Sequence, residues 1–243
     1  MSSAEDGRSV MALHMVRFGA ALKIALLALV LGAGPGPVTA ASGCRIAVLG
    51  DSLASGYGLR LEDAFPARLE AAVHAAGYPC EVIDAGVSGD TSAGGRSRLD
   101  WTLGDEPSHV IVELGGNDGL RGLPPEQMET NLDAILTRLA EEEVPALLAG
   151  MLAPPNLGQA YGEEFRSVFP RLAEKHDVPL YPFFLEGVAA ERELNQADRI
   201  HPNEAGVDEI VRRILPTITE WLDGTGVEAS PRAEVAPARS LPA

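Results

Sequence analysis

The chain has 243 residues, a formal net charge of -16 and 46% hydrophobic residues, which makes it an acidic globular protein and not a disordered one. Residues 1–40 carry Arg8, Arg17 and Lys23 against Glu5 and Asp6, so the remainder is one unit more negative still and holds no basic cluster. That excludes nucleic acid and electrostatic attraction to anionic membranes. Two cysteines without C-x-x-C spacing and five scattered histidines without H-E-x-x-H offer no metal site and call for no cofactor.

In chain order, residues 1–40 read as a signal peptide. Arg17 and Lys23 precede the apolar run Ile24–Leu31, and Val38-Thr39-Ala40 resembles a cleavage site. The run is short for a membrane span, so no stable span is expected after cleavage; an uncleaved anchor is the alternative. The acidic start before Met11 leaves Met11 or Met15 as possible true starts. Ala41-Ser42-Gly43-Cys44 matches a lipoprotein site poorly, because Ala41 stands where leucine is usual. Export places the mature protein in the periplasm or outside the cell.

From Arg45 onward, strand and helix patterns alternate. Nearly continuous Val/Leu/Ile runs predict strands at 45–50, 80–85, 109–114, 145–151 and 179–184, as parallel strands covered on both faces require. Helices are predicted at 64–76, 92–103, 125–142, 160–176 and 204–222. Asp63 is a candidate N-cap and Asn203 another. Pro66 is tolerable in a first turn, and Pro124-Pro125 opens the third helix. Alternating β and α elements give an α/β fold with a parallel sheet between helical layers. The expected domain covers 41–223. Residues 224–243, rich in Ala, Pro, Glu and Ser, read as a disordered tail.

Four polar stretches fall at predicted strand ends or before the last helix. Gly50-Asp51-Ser52 follows the first strand, where Ser52 can expose its Oγ beside a free backbone N–H. Gly89 follows the second strand and lets a substrate carbonyl approach its N–H. Asn117 follows the third and offers a neutral side-chain donor. His201 precedes the last helix and can act as a base near neutrality, with Asp198 three residues earlier to hold its Nδ1. Each stretch alone is an ordinary turn. Four at the proper edge of one sheet describe a serine nucleophile with base, orienter and oxyanion donors. Asp51 and Asp90 read as local capping residues.

The blocks Gly-Asp-Ser-Leu, Ser-Gly-Asp-Thr-Ser, Gly-Gly-Asn-Asp and Asp-x-x-His-Pro resemble the four signatures of the SGNH (GDSL) hydrolases. The run Val112–Gly122 is similar to their acyl-CoA thioesterase, lysophospholipase and arylesterase branch. The resemblance covers roughly 45–222. It implies a flavodoxin-like three-layer α/β/α sandwich on a five-stranded parallel sheet. It further implies hydrolysis of acyl esters and thioesters by Ser52, His201 and Asp198, without cofactor. The oxyanion hole would be the Ser52 and Gly89 N–H groups with the Asn117 side chain. A monomer acting on a small acyl ester or lysolipid is expected. A carbohydrate acetylesterase of the same superfamily and a non-enzymatic lipid-binding module are the alternatives.

Two finer expectations follow. Cys44 lies eight residues before Ser52 and Cys80 nine before Gly89, so both sit at strand starts, opposite the active edge. Neighbouring strands lie about 4.8 Å apart, within disulfide reach, and an exported protein meets an oxidising compartment; a Cys44–Cys80 bridge is expected. For the acyl chain, Leu120 and Leu157 in the loops after strands three and four are expected to supply apolar lining.

Overall fold

The computed structural model describes residues 43–230. The expected signal peptide over 1–40 and residues 231–243 of the expected tail lie outside the described residues. Five strands, β1 (Arg45–Gly50), β2 (Glu81–Gly86), β3 (His109–Glu113), β4 (Ala146–Ala149) and β5 (Leu180–Tyr181), form one parallel sheet. Their order is β2-β1-β3-β4-β5. The runs Ile46–Leu49, Val110–Val112 and Leu147–Ala149 are fully buried. That is why they read as unbroken apolar segments, since both sheet faces are covered.

Seven helices cover it: α1 (Phe65–Ala75), α2 (Ser92–Ser97), α3 (Leu99–Leu103), α4 (Gly116–Leu120), α5 (Pro125–Glu141), α6 (Gln159–His176) and α7 (Glu204–Gly224). α1 packs on α7, while α5 packs on α2 and α6. Each group takes one face of the sheet, giving three layers. After β1 the chain goes outward to β2 and then returns to the other side of β1 as β3. This reversal opens a crevice beyond the carboxyl ends of β1 and β3, where doubly wound sheets bind ligands.

The register Arg45↔Glu81 brings Cys44 beside Cys80 at the opposite end of the sheet. The two are disulfide-bonded, with Cα atoms 4.4 Å apart.

Several elements differ from the sequence expectation, each for a local reason. The helix expected over 92–103 breaks at Arg98, whose backbone leaves the helical region (φ -111°, ψ 9°). The strand expected over 179–184 shrinks to two residues at the sheet edge; Pro182 has no N–H to give a ladder. The strand expected over 145–151 stops at Ala149 and the chain enters a loop. Asp63 does not cap α1; Ala64 takes that position. Asp63 is instead buried between Arg60 and Arg68, at 2.7 and 2.6 Å. Asn203 does cap α7, accepting from the Gly206 N–H at 3.0 Å. Residues 224–230, expected to begin the tail, lie against the domain: Val227 packs on the core and the Ser230 N–H donates to the Gly77 carbonyl. One valine with no periodic partners gives no amphipathic pattern, so composition alone reads as tail.

Candidate active site

β1 ends at Gly50, and the chain turns sharply through Asp51 and Ser52. A Cβ on Gly50 would stand 2.5 Å from Glu113 Oε2 and 2.6 Å from Ala54 Cβ, so no larger residue fits this turn. Glu113 closes β3 and is fully buried. Its Oε2 accepts from the Asp51 N–H at 3.3 Å, and the Ala54 N–H also favours the charged carboxyl. One carboxyl of β3 thereby holds both sides of the nucleophile turn. Its Oε1 is buried without a partner among the described residues. Burial, reinforced by the nearby Asp51 charge, pushes the Glu113 carboxyl well above the ordinary range.

Ser52 Oγ lies 3.0 Å from His201 Nε2. His201 Nδ1 lies 2.7 Å from Asp198 Oδ2. Asp198 Oδ1 accepts the N–H groups of Ile200 (3.0 Å) and His201 (3.1 Å). The Ile200 N–H foremost, then the imidazole and the His201 N–H, lower the Asp198 carboxyl to about 2. Asp198 is therefore an anion at any working pH, fixing the tautomer that leaves Nε2 free to accept the Ser52 proton. Tyr57 covers the imidazole, with ring centroids 4.6 Å apart. Gln196 ties the two strands of chain together, donating to the Tyr57 and Pro202 carbonyls.

Ser52, Gly89 and Asn117 line the same cleft. Neither the Ser52 N–H nor the Gly89 N–H is used by another group among the described residues. Gly89 sits at φ +88°, a conformation that a side chain would strain. Asn117, in the first turn of α4, donates through Nδ2 to Asp51 Oδ2 at 2.9 Å. An amide carries two N–H donors, so one is held by Asp51 and the second has no partner among the described residues. Asp51 also makes the local turn contact expected of it, accepting from the Leu53 N–H at 2.9 Å. Burial raises its carboxyl to about 6, against the lowering effect of the Leu53 and Asn117 donors.

Three residues escaped the sequence reading and brace the loops that carry Gly89 and Asn117. Arg98 donates to Asp90 Oδ2 (2.6 Å), the Ala85 carbonyl (2.6 Å) and the Gly50 carbonyl (2.7 Å). It thus pins the ends of β1 and β2 to the residue after Gly89, and Asp90 is its partner rather than a free turn residue. Asp118 accepts from both the N–H and the Oγ of Ser92, at 2.7 and 2.6 Å, linking α4 to α2. Arg121 donates to the Gly89 carbonyl at 2.7 Å. The sequence pattern over 92–103 marks no break at Arg98 and does not say which carbonyls the guanidinium meets.

A cleft of about 680 Å³ opens from Ser52, lined mostly by apolar atoms. Leu120 lines it and is 52% exposed. Leu157 does not line it. A 3-10 turn over Pro155–Leu157 carries that side chain toward Gly122, and Leu152 to Pro155 form the wall in its place. A larger groove of about 860 Å³ lies at the other end of the sheet, around Trp221, and holds neither Ser52 nor its base. Among the described residues, no cluster of His, Cys, Asp or Glu is arranged to hold a metal ion, and no helix is long and apolar enough to cross a membrane.

Residues 48–208 match the GDSL-like Lipase/Acylhydrolase family. The esterase TesA of Pseudomonas aeruginosa is 40% identical over 176 residues, covering 72% of this chain and 88% of that protein. The thioesterase 1/protease 1/lysophospholipase L1 of Escherichia coli K12 is 40% identical over 184 residues, covering 75% and 83%. Among solved structures, TesA superposes with a TM-score of 0.70 at 40% identity, covering 73% of this chain and 99% of that one. AlinE4, an SGNH-hydrolase family esterase, gives 0.63 at 46% identity, covering 74% and 97%. The chain therefore belongs to the GDSL-like lipase/acylhydrolase family, on the SGNH-hydrolase fold.

Proposed function

We propose that the protein is an exported serine hydrolase of acyl esters and thioesters that works through an acyl-enzyme. The observation that carries the reading is the 3.0 Å approach of Ser52 Oγ to His201 Nε2, with Asp198 on the far nitrogen. His201 takes the Ser52 proton as Oγ attacks the acyl carbon. The developing oxyanion is met by the Ser52 and Gly89 N–H groups and the second N–H of Asn117. His201 then gives its proton to the leaving alcohol or thiol, and a water repeats the sequence to free the acid.

The apolar cleft next to Ser52 supports a medium or long acyl chain over acetate, which the carbohydrate-acetylesterase alternative requires. The curated relatives are named as an esterase, a thioesterase/lysophospholipase and, in Vibrio mimicus, an arylesterase, and we extend that substrate range to this chain. The Cys44–Cys80 bond and the apolar stretch near the N-terminus support export to the periplasm or beyond. The deciding experiment is labelling by a fluorophosphonate, with p-nitrophenyl esters from acetate to decanoate assayed in parallel. Wild type should label and prefer the longer chains; Ser52→Ala should do neither while keeping its melting temperature. Absence of labelling in wild type would leave the lipid-binding alternative, and acetate-only turnover the acetylesterase.

A further inference from the structure

The cleft is bordered by one permanently charged cation, Arg199. Its position is unusual for this protein in two ways. The chain is strongly acidic overall and the carboxylic acid that lines the cleft, Asp51, is buried, yet Arg199 is an exposed cation on its border. Arg199 also sits in the left-handed region, at φ +61°, where a residue with a side chain is strained relative to glycine. Its backbone is committed, with the N–H donating to the Gln196 carbonyl at 2.9 Å. Its guanidinium takes part in no hydrogen bond or ion pair among the described residues. A glycine would satisfy the turn more easily, so turn geometry does not explain the arginine.

The chemistry of the step says which part of a substrate passes it. His201 must deliver a proton to the leaving oxygen, so the leaving group lies along the 198–201 turn, away from Gly89 and Asn117. Arg199 is two residues before His201 in that turn. An arginine there meets whatever the leaving alcohol carries a few bonds beyond its oxygen. In a glycerophosphate leaving group, that is the phosphate, five bonds on. A guanidinium fork matches phosphate oxygens two at a time.

Resting on the hydrolase reading above, we infer that Arg199 is a specificity residue that selects leaving groups bearing a phosphate close to the scissile ester, as in lysophospholipids. It binds the leaving group and takes no part in proton transfer.

The test compares 1-octanoylglycerol 3-phosphate with 1-octanoylglycerol, both kept below their aggregation concentrations, on wild type, Arg199→Gly and Arg199→Lys. Glycine suits φ +61°, so the turn and the fold are kept. Wild type should prefer the phosphate substrate, and Arg199→Gly should lower kcat/KM for it about five- to tenfold, mostly through KM. The neutral glyceride should be unchanged, Arg199→Lys should restore part of the loss, and 0.5 M NaCl should shrink the difference. Octanoyl-CoA against octanoyl-pantetheine is the second arm. Their phosphate, or lack of it, is far from the sulfur, so Arg199→Gly should alter neither. Equal losses on both glycerides would make Arg199 a support for the His201 turn and overturn the proposal, as would no loss on either or a loss confined to octanoyl-CoA. Failure of wild type to hydrolyse any of the four would instead refute the hydrolase reading.

Discussion

The two halves of the proposed site are built differently. The acid–base half is local: Asp198 and His201 are three residues apart, and the carboxylate also takes two N–H groups of its own turn. The oxyanion half is distributed. Ser52, Gly89 and Asn117 come from three strand ends, and their loops are cross-braced by Arg98, Ser92–Asp118 and Arg121. A short turn can orient one imidazole because tautomer and direction are set by a single partner. An oxyanion hole needs donors from separate segments to agree within fractions of an ångström, so it needs ties between those segments. The local half stands in an exposed loop, while the Arg98 and Ser92–Asp118 ties of the distributed half are half-buried or buried.

If that contrast holds, damage should differ in kind between the halves. The largest effect is expected for His201→Ala, a drop in kcat on the order of 10⁴ or more, because base and nucleophile act as a unit. Steady-state kinetics with retained melting temperature would check it. Asn117→Ala should lower kcat by about 10²–10³ with KM nearly unchanged. A change in KM alone would make Asn117 a substrate-binding group and break the comparison.

Arg98→Lys comes next. Lysine keeps the positive charge for Asp90 but cannot reach the Ala85 and Gly50 carbonyls together. We expect about a tenfold loss of kcat, equal for acetate and decanoate, together with weaker binding of a boronate transition-state analogue. A loss of stability with kcat intact would show that the brace serves the fold and not the donors.

Glu113→Gln probes what lies beneath both halves. An acid whose folded pKa exceeds its unfolded value binds more protons when folded, so stability falls as pH rises through that window. For Asp51 the window runs from the ordinary 3.8 to about 6, and Glu113 acts in the same direction. Wild-type melting temperature should therefore fall between pH 4 and pH 7. Glu113→Gln keeps an acceptor for the Asp51 and Ala54 N–H groups and removes the buried acid. The fall should be smaller, and melting at pH 8 should rise by about 2–4 °C, roughly 1 kcal/mol for a domain of this size. A lower melting temperature at pH 8 would mean the carboxylate itself holds the turn.

The smallest effect is expected for Leu120→Ala. Each methylene buried in the cleft is worth about 0.8 kcal/mol, roughly fourfold in binding. The rise of kcat/KM with chain length should flatten by a few-fold at decanoate and leave acetate alone. An equal loss on both would place Leu120 with the braces around Asn117. No chain-length effect is expected from Leu157→Ala, since that side chain lies outside the cleft.

What the chain declares by itself is whatever depends on short range or on strand position. The buried strands announce themselves because two-sided burial demands continuous apolar runs, and the residues proposed for the site follow because each strand of a parallel sheet ends on the same edge. Asp198 and His201 are legible from their spacing, and Cys44 and Cys80 from their equal place at two strand starts. Tertiary structure decided everything that depends on which distant groups face each other. Asp63 reads as a cap until Arg60 and Arg68 close over it. Asp90 reads as a turn residue until Arg98 reaches it, and Asp51 until Asn117 donates to it. Leu120 and Leu157 look alike in sequence, yet a 3-10 turn at Pro155 sends only one of them into the cleft. Side-chain periodicity reports burial, which is a property of one segment. A hydrogen-bond partner is a property of two, and the second is named only once the chain has folded.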